Sequence, residues 1–126
     1  PQVAAAEVAV RAGMLSEYTN QRVMGVVENM SSFPCPHCGE PMDLFGSGGG
    51  EIVSKQLSAA LKSDVPLLGK IPFDVRLREG GDQGRPLVLD APDAPASRAI
   101  AGIAEVLTAK PRGLAGLNLG ISPVGR

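Results

Sequence analysis

The chain has 126 residues, 44% of them hydrophobic, and a formal net charge of −1. That is the size of one domain with enough apolar surface for a core, and the charge argues against a nucleic-acid or membrane-surface binder, which would need a basic face to neutralise phosphates. No apolar run approaches the roughly 18–20 residues of a bilayer crossing, and no signal-peptide pattern is visible at the start, so a cytoplasmic protein is expected.

Three Phe, one Tyr and no Trp leave the core to be built from aliphatic side chains. Sixteen Gly and eleven Pro make the chain rich in turns. They gather at 34–50, 80–95 and 111–125. The opening Pro1-Gln2, without Met, is what a piece of a longer protein would show.

Residues 2–18 are expected to form a helix, with Val3, Ala6, Val10, Met14 and Tyr18 spaced by three or four and Pro1 suited to a first turn. Val23-Met24-Gly25-Val26-Val27 within 22–28 is a short apolar run, expected as a strand buried on both faces, as in a parallel sheet. A long loop over 29–48 follows and holds both cysteines. Residues 49–62 read as a second helix with Ile52, Val53, Leu57, Ala60 and Leu61 on one face. Pro66–Ile71 reads as a second strand, ended by Pro72. Residues 73–95 are expected to be mostly loop, with a helical turn at 75–78. Ser97 is positioned to cap a third helix with the stripe Ile100, Ile103, Ala104 and Leu107. The tail 110–126 has no periodicity and is expected to be extended or disordered.

Helix, strand, helix, strand, helix implies α/β layering with parallel strands over residues 1–109. Two strands are too few for a complete doubly wound sheet. The rest must come from a missing N-terminal portion or from another molecule.

The most informative stretch is Phe33-Pro34-Cys35-Pro36-His37-Cys38-Gly39-Glu40. A Cys-x-x-Cys pair can place two thiolates on one metal because the turn between them aims backbone N–H groups at the sulfurs, and Gly39 eases the tight reversal. A structural zinc needs four ligands, whereas this chain has two Cys and one His, and His37 lies inside the turn. A Cys-Pro-His-Cys thiol–disulfide oxidoreductase is a second reading, although such motifs start a helix and Gly39, Pro41 and Gly46 are poor helix starters. Two merely structural cysteines are a third. Two thiolates per chain become four in a symmetric dimer, which suits a [4Fe–4S] cluster or a zinc ion at a labile interface.

Ligands in open α/β sheets collect beyond the carboxyl ends of the strands. Asn29 stands at one such end, and its amide suits an adenine edge as well as a turn. Pro72 and Asp74 stand at the other, where Asp74 equally suits a helix cap. Gly46-Ser47-Gly48-Gly49-Gly50 has no Lys and is no phosphate loop of the Walker A kind; it reads as a flexible lead-in to the second helix. Residues 78–86 mix charge and glycine and read as a solvated loop.

Val26-Val27-Glu28-Asn29-Met30-Ser31, Cys35-Pro36-His37-Cys38-Gly39 and Phe45-Gly46-Ser47-Gly48-Gly49-Gly50 resemble, in order and spacing, the centre of the Mrp-type P-loop proteins. Residues 66–74 and 78–86 continue the match, Pro1-Gln2 is similar to the family's helix start, and the resemblance spans residues 1–107. It implies an ATPase of the deviant Walker A class, related to the nitrogenase iron protein, that assembles [4Fe–4S] clusters and hands them to apo iron–sulfur client proteins. By that resemblance Cys35 and Cys38 are cluster ligands shared across a homodimer, Asn29 contacts adenine, and Pro72 with Asp74 forms the base-side loop. ATP and Mg²⁺ belong to the intact protein, whose nucleotide state moves the two subunits and changes cluster exposure. The family's Gly-Lys-Gly-Gly-Val-Gly-Lys-Ser loop, switch segments and Mg²⁺-binding carboxylates are absent here. The chain by itself is therefore expected to hydrolyse no ATP.

Overall fold

The computed structural model describes residues 1–109. The 110–126 tail lies outside the described residues. Helix α1 (Val3–Thr19) leads to strand β1 (Val26–Asn29), followed by two short strands, β2 (Phe33–Pro34) and β3 (Pro41–Met42). Helix α2 (Gly49–Leu61), strand β4 (Leu67–Ile71) and helices α3 (Val75–Gln83), α4 (Leu87–Asp90) and α5 (Pro95–Ala109) complete the order.

Strands β1 and β4 pair in parallel, with Val27 opposite Gly69, Glu28 opposite Lys70 and Asn29 opposite Ile71. The α/β layering expected from the sequence is present, with α1 and α2 packed together and α5 against β4. The first strand starts later than its apolar run, and it is not buried on both faces. Glu28 is its buried residue, while Val27 stays 42% exposed. A strand with a single neighbour in a two-stranded sheet has little to cover its second face.

The core is aliphatic, as composition requires. Ala6, Val53, Leu57 and Val65 join Val10, Val23, Val26 and Leu61 between the first two helices and β1. Leu87, Ala94 and Ala96 join Ile71, Leu77 and Ala91 under the last three helices. Val65 is fully buried, and α2 satisfies its backbone: Ser54 Oγ donates to its carbonyl at 2.7 Å and its N–H donates to Ser58 Oγ at 3.1 Å. Helix α1 turns its small residues inward. A Cβ on Gly13 would come within 2.6 Å of Leu57 Cδ2, so the two helices approach as closely as a glycine allows. The stripe expected on α1 is split as a result: Ala6 is buried and Val10 half-buried, but Val3, Met14 and Tyr18 lie in the open.

Three departures share one cause, which is turn chemistry overriding composition. The 29–48 loop contains the β2–β3 pair. The stretch expected to be a turn and a solvated loop is helical from Val75 to Gln83, because Asp74 caps it and Gly84, at φ 67°, ends it in the left-handed region. A Cβ on Gly80 would run into the Arg85 carbonyl where the chain folds back, so that glycine serves packing inside a helix. Helix α4 follows within the same supposed loop. Helix α5 begins at Pro95, whose fixed φ suits a first turn, and its first bond runs from the Arg98 N–H to the Ala94 carbonyl at 2.9 Å. Ser97 is thus no cap; it is buried inside the first turn.

Candidate metal-binding knuckle and strand-end corner

The cysteines sit at the tip of a short hairpin. Phe33 pairs with Met42 and Pro34 with Pro41 in antiparallel sense, and the Cys35 N–H donates to the Glu40 carbonyl at 2.8 Å to continue the ladder. The Gly39 N–H donates to the Cys35 carbonyl at 2.8 Å, and Gly39 adopts φ 76°, a value that favours glycine. The reversal aims donors inward. The Cys35 thiol is held below its ordinary pKa by the Cys38 backbone N–H, then by the His37 N–H and the Cys38 thiol, against a smaller opposing effect of burial. This is the turn geometry that a ligating Cys-x-x-Cys requires.

Both thiols are free; Cys35 is half-buried and Cys38 exposed. The His37 ring is also exposed at the tip. Among the described residues no three His, Cys, Asp or Glu side chains gather to hold a metal ion. The segment after Cys38 runs into β3 rather than a helix, so no helix N-terminus activates the thiols.

The base of the knuckle is aromatic. Phe33, Phe45 and Phe73 are all the phenylalanines of the chain. Phe33 meets Phe73 edge-on at a centroid distance of 5.6 Å, and Phe45 meets it at 6.4 Å. The two strand ends are also laced together past the sheet proper: Ser31 N–H donates to the Ile71 carbonyl at 3.0 Å and Phe73 N–H to the Ser32 carbonyl at 2.7 Å.

Asn29, Pro72 and Asp74 stand on these neighbouring strand ends, but they line two different clefts. Asn29 borders one of about 180 Å³ with Pro1, Gln2, Glu28 and Gly49, and its Oδ1 accepts the Met30 N–H at 2.9 Å. Pro72 and Asp74 border another of about 330 Å³ with Phe33, Pro34, Arg76 and Pro95. Asp74 is the N-cap of α3: its Oδ1 accepts the Arg76 N–H at 3.0 Å, and Arg76 Nη2 reaches Oδ2 at 2.7 Å. The Arg76 guanidinium is the main reason that the Asp74 carboxyl titrates below its ordinary value.

Sequence reasoning missed a charged group between the paired strands and the start of α2. Glu28, 5% exposed, has Oε2 on the Gly50 N–H at 2.7 Å, at the start of α2. Lys70 Nζ lies 3.7 Å from Glu28 Oε1 and 2.6 Å from Glu51 Oε1. Hydrogen bonding to Glu51 raises the Lys70 pKa and lowers that of Glu51. The Gly-rich lead-in is therefore a seat for a carboxylate. The signal available was an acidic residue inside an apolar strand, paired across the sheet with the strand's lysine.

An α/β domain with a parallel sheet, covered by helices, that raises a cysteine knuckle beside the carboxyl ends of its strands defines the class. The model of the ParA family, described as NUBPL iron-transfer P-loop NTPase, matches residues 1–108, and the chain belongs to that family. It is 51% identical over 126 residues to the iron-sulfur cluster carrier protein of Mycobacterium tuberculosis (strain ATCC 25618 / H37Rv), a match covering 100% of this chain and 33% of that protein. The iron-sulfur cluster carrier protein of Mycobacterium leprae (strain TN) is 49% identical over the same length, with the same coverage. The cytosolic Fe-S cluster assembly factor NUBP2 of Bos taurus is 43% identical over 94 residues, covering 74% of this chain and 32% of that protein. The chain thus spans about a third of the length of these relatives. Among the described residues no helix is long and apolar enough to cross a membrane.

Proposed function

We propose that this chain is the cysteine-bearing part of an ATP-dependent iron–sulfur cluster carrier in which Cys35 and Cys38 from each of two copies hold a [4Fe–4S] cluster between them. The cluster is cargo, destined for apo iron–sulfur client proteins in the cytoplasm. The observation that carries the reading is the hairpin tip itself, where the Cys35 N–H bonds the Glu40 carbonyl, the Gly39 N–H bonds the Cys35 carbonyl, and both thiols are free within one tight turn. The backbone donors that hold the Cys35 thiol below its ordinary pKa favour a thiolate and the charge it shares with iron. One chain offers two thiolates and, among the described residues, no group of three ligating side chains, which is half of a four-thiolate cage; a two-fold partner offers the other half. A site open on one side gives its cargo up more readily than a buried one.

Asn29, Pro72 and Asp74 are the base-side residues for ATP in the longer protein, on strand ends where ligands of α/β sheets collect. ATP with Mg²⁺, held there in the longer protein, would supply phosphoryl transfer, and the nucleotide state would set how the two subunits sit relative to each other. Of the other readings, a zinc-bridged dimerisation module draws on the same four thiolates. The thiol–disulfide oxidoreductase is less favoured, because the chain after Cys38 enters a strand.

Anaerobic reconstitution with ferrous iron and sulfide tests this directly. The expected product is a brown dimer with one cluster per two chains, lost in Cys35→Ala and in Cys38→Ala. A cluster held by the monomer overturns the bridging geometry. Colourless protein that takes up zinc but no iron makes it the zinc module.

A further inference from the structure

We infer that Phe73 is a positioning residue that ties the cysteine knuckle to the corner after β4, so that metal loading at Cys35 and Cys38 is felt at Asp74. The inference rests on the proposed roles of the knuckle and of the corner, and adds the physical link between them.

The chain places its phenylalanines unusually. A domain with few aromatics would be expected to sink them in its core, yet both core clusters are aliphatic and all three Phe meet at the root of the hairpin. Phe33 stands two residues before Cys35, and Phe45 lies on the returning limb. Phe73 touches both. Its own backbone is held on both sides: its N–H is bonded to the Ser32 carbonyl, and Asp74 after it is fixed by the Arg76 N–H and guanidinium. Edge-to-face ring contacts depend on orientation, so a shift of the hairpin root cannot be absorbed without moving the Phe73 ring or its corner. The cleft of about 330 Å³ is lined by Phe33 and Pro34 from the hairpin root together with Pro72, Phe73 and Asp74 from the corner. Anything filling it presses on both.

A plain packing role predicts that the rings merely plug the hairpin root. The two roles separate by transmission, since coupling between two sites requires an element that both of them bias. Phe73→Leu keeps an apolar side chain of similar reach and removes the ring edge.

The test is zinc titration of the ¹⁵N-labelled full chain under reducing conditions, following backbone amides at the knuckle and at Asp74, Val75 and Arg76. In the wild type both sets are expected to shift together. In Phe73→Leu the knuckle amides still shift, with similar zinc affinity, but the shifts at 74–76 fall by about half or more, while the unfolding midpoint stays close to wild type. Phe33→Leu asks the same question from the knuckle side, should Phe73→Leu not fold. Knuckle shifts without movement at 74–76 in the wild type, or undiminished shifts at 74–76 in a folded variant, overturn the link and leave the ligand role of the cysteines intact. No zinc uptake by the wild type removes that role, and the link with it.

Discussion

Glu28 and Gly50 are joined across 22 positions of chain by a 2.7 Å hydrogen bond from the glycine N–H to the buried carboxylate. The bond sets the end of β1 against the first turn of α2, where the helix has unpaired N–H groups and a favourable dipole for an anion. A Cβ on Gly50 would lie 3.0 Å from the Glu28 Cβ and 2.9 Å from Leu67 Cδ1, so the strand and helix approach closely here and a larger residue would need those side chains to shift.

Glu28→Ala strands the buried Gly50 N–H and leaves Lys70 with Glu51 alone. Leaving a buried donor unpaired costs about 1–3 kcal/mol. The urea midpoint of Glu28→Ala should fall accordingly, with Glu28→Gln intermediate because an amide oxygen still accepts. Equal midpoints for Glu28→Ala and an exposed control such as Glu17→Ala would remove Glu28 from the account of how α2 is held.

Gly69 on β4 makes a second close approach, this time to α5. A Cβ there would meet Ile103 Cγ1 at 2.6 Å, and Ile103 is 8% exposed. Gly69→Ala therefore overpacks the strand–helix contact and should cost about 1–3 kcal/mol. Shortening the partner relieves it, so Gly69→Ala combined with Ile103→Ala should cost less than the sum of the two. Strict additivity in urea unfolding would place the strain elsewhere.

The corner residue Asp74 gives a pH dependence with a definite sign. Its carboxyl titrates below the ordinary value when folded, chiefly through Arg76. The unfolded chain binds its proton near pH 3.9. The contribution to stability is thus complete above about pH 4 and drains away as pH falls through the lower folded pKa. Asp74→Asn keeps a capping oxygen but should lose the carboxylate's contribution at neutral pH, and with it the acid-side slope. Asp74→Ala should lose the cap as well, about 1 kcal/mol at neutral pH. Stability measured across pH 2–7 checks both; a steeper acid slope in Asp74→Asn than in wild type would reverse the assigned sign.

What the sequence disclosed was periodic or punctuated. The Val53, Leu57 and Leu61 spacing in α2, the apolar run of β4 and the Cys-x-x-Cys turn all depend on neighbours in the chain, and the folded molecule keeps them, although Ile52 and Ala60 of the same expected face lie in the open. What it concealed depends on contacts between distant segments. Val3, Met14 and Tyr18 share a spacing with Ala6 and Val10, but the packing surface of α1 follows its small residues, because α2 comes close enough to touch Gly13. Glu28 resembles a polar interruption until Gly50 arrives from 22 residues away. The glycines at 80 and 81 look like loop residues, since nothing local says that the Asp74 cap will start a helix able to run through them. At the strand ends, Asn29 and Asp74 were legible as residues of one edge, whereas their division between two clefts depends on where α5 and the hairpin root pack.

The same anchored carboxylate bears on ATP. A glycine-rich lead-in to a helix is where a phosphate would settle if its N–H groups and the positive end of the dipole were free. Here Glu28 occupies the Gly50 N–H, Glu51 stands in the first turn, and Lys70 is already paired to both. A polyphosphate arriving at α2 would meet two carboxylates and would have to break a buried bond before making one. Residues 46–50 also contain no lysine to follow charge onto the β- and γ-phosphates. The purified 126-residue chain should therefore release phosphate from Mg²⁺-ATP no faster than the buffer blank. Glu28→Ala should not change that, since freeing one N–H supplies neither the lysine nor a metal-binding carboxylate. Phosphate release above the blank that persists through repurification and disappears in Glu28→Ala would mean that this helix end takes part in hydrolysis after all.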